Sequence, residues 1–222
     1  PDEAIIDVDV QERSTGELSF GIGISTAETV VGDISIRERN LLGKAQDLRL
    51  ALGFSATRQQ VDLSFTEPYF LDRNVSAGFD VFNRKEDQQD RSSFDEQARG
   101  FALRSRFPIT ENLKQGLRYT LRSDRIENTN NDTSPFIQLD EGDYVTSSVS
   151  YNLTYDTRDD DALPSTGIII RGGQEIAGLG GDVQYIQSTA KMAYYHPFTR
   201  DIVGSMTLSG GTIVGIGQDV RV

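Results

Sequence analysis

The chain has 222 residues, with 34 acidic against 22 basic side chains, one histidine, no cysteine and no tryptophan. A formal charge of -12 without a basic cluster argues against nucleic acid as a partner, and the lack of cysteine removes disulfides, thiolate zinc sites and thiol nucleophiles. The longest purely aliphatic run is Ile168, Ile169, Ile170, far short of the ~20 residues of a spanning helix, so any membrane role must use strands.

Alternation with period two dominates, and on a pleated strand it sends successive side chains to opposite faces. It begins with Leu18, Phe20, Ile22 and Ile24 between Glu17, Ser19, Gly21 and Gly23, and recurs at Leu48, Leu50, Leu52, Phe54. It continues through Val75 to Val81, Phe101 to Phe107, Leu117 to Leu121 and Val149 to Tyr155. These runs predict eleven antiparallel strands over 15–25, 31–39, 47–55, 59–66, 75–85, 95–107, 113–124, 144–156, 168–176, 183–195 and 202–213, joined as consecutive hairpins. Apart from Pro1, every proline falls between predicted strands, as expected of a residue that cannot donate to a ladder. Four of those five prolines lie in one alternating set of connections (40–46, 67–74, 108–112, 157–167, 196–201). The other set includes the hydrophilic segments 86–94 and 125–143. Membrane barrels differ at their two ends in this way, so the proline-rich set is placed in the periplasm.

Alternation alone also fits a water-soluble sandwich. Strand length favours a membrane wall, since several runs of 9 to 13 residues exceed the globular mode of about 5 to 6 and match the ~9–11 needed to cross a bilayer. The face opposite the aliphatic one mixes Gly21, Gly23, Gly53, Gly78 and Gly100 with Arg99, Arg104, Arg106, Arg118 and Arg122, the last four with one parity. Unpartnered guanidinium groups in a dry core would each cost several kcal/mol, so a wet lumen is expected, with Glu17, Asp33, Asp62 and Asp80 as counter-charges. Tyr69, Phe70, Phe107, Tyr155, Tyr194, Tyr195 and Phe198 gather at strand ends near the proline-rich side, as an interfacial girdle would. The expected fold is therefore an all-β, antiparallel, up-and-down transmembrane β-barrel, present in part.

Specific strings extend the pattern. Asn40-Leu41-Leu42-Gly43-Lys44-Ala45-Gln46, then Thr66-Glu67-Pro68-Tyr69-Phe70-Leu71, then Tyr155-Asp156-Thr157-Arg158-Asp159 with Pro164-Ser165-Thr166-Gly167, together resemble the barrel of BamA-type outer-membrane assembly proteins. Residues 1–14 look like the tail of a POTRA domain and linker, and 15–222 like the first eleven of sixteen barrel strands. The similarity to TamA-like and two-partner-secretion relatives is lower. The resemblance implies an integral outer-membrane protein, N-terminal side in the periplasm, that folds and inserts other β-barrel proteins. Unfolded barrel substrates, accessory assembly lipoproteins and outer-membrane lipid are the implied partners, with no cofactor and no catalytic residue. It also implies a lateral gate at the first strand, through Gly16, Leu18, Phe20, Gly21, Ile22, Gly23 and Ile24. Three glycines weaken that edge by roughly 0.5–1 kcal/mol each relative to Ala, although glycine could equally relieve lumen crowding. The alternative functions are a TamA-like or two-partner-secretion translocator, or a passive outer-membrane pore.

Three smaller features are assigned no chemistry. Arg158-Asp159-Asp160-Asp161 lacks the glycine and the twelfth-position glutamate of a calcium loop and reads as a solvated turn. Gly178, Gly180 and Gly181 lack dinucleotide spacing and read as a hairpin loop. His196, beside Pro197, has no serine partner and reads as solvated or interfacial.

Overall fold

The computed structural model describes residues 14–26 and 28–217. The expected POTRA tail therefore lies outside the described residues except for Ser14. The strands are β1 (Gly16–Ser25), β2 (Thr29–Leu41), β3 (Gln46–Ser55), β4 (Arg58–Glu67), β5 (Ser76–Asp87), β6 (Asp95–Pro108), β7 (Leu113–Glu127), β8 (Gly142–Asp156), β9 (Gly167–Gly181), β10 (Tyr185–Pro197) and β11 (Val203–Gly215). They form one sheet in strict chain order, every neighbouring pair antiparallel. The helical pieces are a 3-10 turn at Phe70–Asp72 and two short helices, α1 (Gln89–Ser92) and α2 (Pro135–Leu139), all in connections.

Register turns the alternation into two continuous faces. Ile36 opposes Leu18 and Leu50, Leu63 opposes Leu50 and Val81, and Phe101 opposes Val81 and Leu121. Tyr151 opposes Leu117 and Gln174, and Met192 opposes Ile170 and Leu208. We call this aliphatic and aromatic side the outer face, and its reverse the inner face. Asn40 builds the first proline-side turn: its Oδ1 accepts the Ala45 amide at 2.7 Å and its carbonyl accepts Gly43 at 3.0 Å. Gly43 there has φ +71°, which glycine adopts without steric cost.

One element differs from the sequence reading. β9 runs through the three glycines expected in a hairpin loop and ends at Gly181. Gly178, Gly180 and Gly181 have φ of 122°, 104° and 98°, closed to most side chains. They let the chain bulge, so between Thr146↔Gly181 and Ser148↔Ala177 β9 advances four residues while β8 advances two.

Among the described residues the sheet encloses no apolar core: no large side chain is fully buried, and the buried apolar residues are Phe94, Ala102, Ile169, Ala177 and Ala193. Phe101 and Tyr151, which would meet across the interior of a soluble sandwich, are 37% and 40% exposed on the outer face. A soluble chain of this length buries most of its apolar surface, so the outer face needs an apolar surrounding.

Candidate functional site

Two regions carry the candidate function: the edge made by β1 and the charged inner face.

β1 pairs only with β2 among the described residues, through an unbroken ladder from Gly16↔Glu38 to Ser25↔Thr29. Leu18, Phe20, Ile22 and Ile24 point to the outer face and are 69% to 92% exposed. Gly16 shares their parity, while Gly21 and Gly23 lie on the inner face opposite Asp33 and Val31. A Cβ on Gly21 or Gly23 would meet nothing within 4 Å among the described residues. Elsewhere on the inner face crowding does select glycine. A Cβ on Gly78 would come within 2.3 Å of the Phe65 carbonyl and 2.6 Å of Arg104 Nη1, and one on Gly100 within 2.3 Å of the Leu121 carbonyl. Crowding thus accounts for Gly78 and Gly100 but, among the described residues, not for Gly21 and Gly23. Beyond its ladder, β1 is tied by a half-exposed ion pair, Glu17 to Arg39 at 2.9 Å, worth at most about 1 kcal/mol. Thr15, just before it, also bonds to Glu38.

The inner face carries the predicted charges in a more organised form. Asp80 sits 3.4 Å from Arg104 Nη2 and 3.0 Å from Arg118 Nη1. Arg104 and Arg118 oppose each other directly in register, so Asp80, one step along on β5, neutralises a like-charge pair. Arg104 further donates to Ser64 Oγ, the Phe65 carbonyl and Thr66 Oγ1 at 2.8–3.2 Å. Arg122 pairs with Asp124 at 2.7 Å. Arg106 makes no ion pair among the described residues. The other expected counter-charges take arginines that composition did not single out: Asp33 lies 3.7 Å from Arg58, and Asp62 2.6 Å from Arg84. Their matching parity was the available signal.

Arg99 does not join this cluster. It opposes Asn83 and Ser123, in the same row as Phe101 and Val81, so it lies on the outer face. The reason is its odd number on a strand whose inner residues are even. It sits toward the hydrophilic connections, one strand from the Arg125–Asp143 pair at 2.6 Å on the same face. Among the expected girdle residues, Tyr155 and Tyr194 lie in outer-face rows, whereas Tyr195 falls on the inner face. His196 stacks on Tyr194 with centroids 6.2 Å apart and meets Phe198 edge-on at 5.4 Å.

The acidic turn at 157–166 is a self-capped structure. Asp159 Oδ1 accepts the Ser165 and Thr166 amides at 2.9 and 3.0 Å, and its other oxygen bonds the Ser165 hydroxyl. Asp160 accepts the Ala162 and Leu163 amides at 2.7 and 2.8 Å. Arg158, with only 12% of its side chain exposed, grips both oxygens of Asp156 at 2.7 and 2.9 Å and reaches Asp161 at 3.1 Å. The Ser165 hydroxyl, then the Thr166 and Ser165 amides, bring the Asp159 carboxyl down to about 2 from an ordinary 3.8. A lowered folded-state pKa gives stability that is present above the ordinary value and lost as pH falls through the folded one. In an NMR titration of the protein in micelles, the Ser165 and Thr166 amide shifts are expected to move with a midpoint near 2; a midpoint near 3.8 would contradict these bonds.

Comparison with known proteins places this architecture. The model of the Omp85 superfamily domain matches residues 40–222. The chain belongs to the Omp85 superfamily. Among curated Omp85 relatives, the outer membrane protein assembly factor BamA of Nitratidesulfovibrio vulgaris is 30% identical over 219 residues, covering 98% of this chain and 27% of that protein. BamA of Neorickettsia risticii is 27% identical, over 98% of this chain and 30% of that protein. A SAM50-like protein of Drosophila melanogaster is 28% identical, over 89% of this chain and 47% of that protein. The chain therefore spans less than half the length of these relatives. The fold matches the crystal structure of Haemophilus ducreyi BamA lacking POTRA domains 1–3 with a TM-score of 0.74 at 22% identity, over 95% of this chain and 43% of that one. The eleven strands thus form part of an Omp85 barrel wall, in which β1 and β11 are not paired with each other among the described residues.

Proposed function

We propose that this chain is the N-terminal part of the barrel of an outer-membrane assembly factor that folds and inserts other β-barrel proteins, with β1 as the edge on which an incoming strand is templated. The observation that carries the reading is β1 itself: a ten-residue strand whose outer row, Leu18, Phe20, Ile22 and Ile24, is wholly apolar and whose inner Gly21 and Gly23 would meet nothing within 4 Å among the described residues. A strand in hydrocarbon must satisfy every backbone group, because each unpaired one costs several kcal/mol. An edge that opens easily offers a row of donors and acceptors to a substrate strand by β-augmentation, with no covalent chemistry. The names of the BamA and SAM50 relatives support the same role.

On this reading the outer face contacts outer-membrane lipid, and the proline-rich end, where β1 begins, faces the periplasm. Residues 1–14 are read as the end of a POTRA domain, and accessory lipoproteins would dock on that side. Cysteines placed singly along residues 15–25 of the native full-length protein are expected to form disulfides with a cysteine-bearing terminal strand of a substrate during assembly. No adduct at any position would sink the template role. Replacing Gly21 and Gly23 together by valine should tighten β1 by about 1–2 kcal/mol and lower the adduct yield severalfold while the protein stays inserted. A passive pore predicts steady, large conductance in planar bilayers and unchanged behaviour in the valine variant.

A further inference from the structure

The connections at the two ends of the sheet differ in their tips. All five at the proline-rich end expose a large apolar side chain: Leu42 (81%), Leu71 (74%), Ile109 (49%), Leu163 (85%) and Phe198 (70%). Between strands at the opposite end, only Leu139 does so among the described residues. One of these tips closes a cleft of about 940 Å³ on the outer face, where β3, β4, β5 and β6 meet the proline-rich rim.

The upper wall of the cleft is apolar, made by Phe65 and Phe79, whose rings stack at 5.5 Å, and by Leu103. Its lower rim is charged and carries both signs: Lys44 from the β2–β3 turn, Glu67 from the end of β4 and Asp72 from the β4–β5 connection. Glu67 is held in place, accepting from Gln46 Nε2 at 2.6 Å and from the Tyr69 amide at 3.1 Å. The connection is tied by its own backbone hydrogen bonds. Asp72 N donates to the Tyr69 carbonyl at 3.0 Å, and Phe70 N to the Val75 carbonyl at 2.8 Å. Leu71 and Asp72 are both held at φ +56°, a region that residues other than glycine seldom occupy. That conformation presents Tyr69 and Leu71 to solvent beside the cleft, an unfavourable placement in water.

We propose that this cleft binds one diacyl phospholipid with a primary-ammonium headgroup, of the phosphatidylethanolamine class, from the membrane leaflet at the proline-rich end. An acyl chain lies along the Phe65–Phe79–Leu103 wall. The phosphate is met by Lys44, and the ammonium by Glu67 and Asp72, whose remaining lone pairs accept its N–H groups. A headgroup with one anionic and one cationic centre matches this rim in sign. An anionic glycerol headgroup, whose hydroxyls carry no charge, would leave the two carboxylates without a counter-charge. The apolar tips of the rim keep the cleft at the depth where headgroups lie.

The inference rests on the outer face lying in lipid, and its test separates the two. The native full-length protein is reconstituted in vesicles of equal phosphatidylethanolamine and phosphatidylglycerol, extracted gently, and the lipid it retains is counted by native mass spectrometry. Retained phosphatidylethanolamine should exceed phosphatidylglycerol by about fivefold, the scale of one or two partly exposed charge pairs. Glu67→Gln with Asp72→Asn should bring that ratio to about one, and Lys44→Ala should lower total retention. The substitutions keep side-chain size at the carboxylates, and circular dichroism checks that the strands persist. Inserted protein with no ethanolamine preference, or a double variant that keeps it, overturns the cleft assignment alone. Protein that never enters the vesicles overturns the membrane reading and this one together.

Discussion

Arginine at Val149 is expected to keep the protein out of the membrane. Val149 stands midway along the outer-face row of β8, from Asp143 to Tyr155, between Tyr119 on β7 and Ile176 on β9. At mid-depth on a lipid-facing barrel surface a cationic side chain costs about 2–4 kcal/mol, a shift on the order of 100-fold in the insertion equilibrium. The control is arginine at Gln187, on the inner face directly opposite Glu175, which should change stability by less than about 0.5 kcal/mol. Heat-modifiable gel mobility after reconstitution distinguishes inserted from uninserted protein. Equal insertion of both variants would mean that the outer face does not touch hydrocarbon.

Replacing Asp80 by asparagine is expected to be the most damaging single loss of charge on the inner face. The substitution keeps shape and removes the charge that separates Arg104 from Arg118, which then face each other across the β6–β7 ladder. A fully buried broken pair would cost about 3–5 kcal/mol, but these side chains retain 21% to 39% exposure, so about 1–2 kcal/mol is expected. Denaturant unfolding in micelles measures it, and added salt should reduce the deficit by screening the residual repulsion. Arg118→Gln in the Asp80→Asn background should recover part of the loss. A double variant as unstable as the sum of the single ones would show that the three groups are not coupled.

Much of the fold was legible in the sequence because one face of every strand must be apolar, and a period of two records that face residue by residue. The glycine, asparagine and proline connections then fixed the hairpins. β9 escaped because its end carries no alternation: Gly178, Gly180 and Gly181 look like a loop, yet their freedom at positive φ lets the strand continue through a bulge. Parity alone placed Arg104, Arg106, Arg118 and Arg122 together, and the same rule, applied to Arg99, would have set it apart. What parity could not supply was pairing. An arginine reaches neighbours one step along the strand as readily as those directly opposite, so Asp80 serving two arginines, and Asp33 and Asp62 taking Arg58 and Arg84, required coordinates. The room around Gly21 and Gly23 is likewise invisible in sequence, where an uncrowded glycine and a crowded one are the same letter.

Among the described residues each strand hydrogen-bonds only to the strands just before and just after it in the chain. Within this stretch no strand waits for a distant one to arrive, so these eleven can be laid down like a zipper, each new hairpin adding to the border left by the last. Such a build order keeps loop-closure costs small at every step and leaves one advancing margin to be shielded at a time. For a protein whose proposed work is to offer its own margin to others, the same simplicity that eases its making lets a foreign strand continue the pattern.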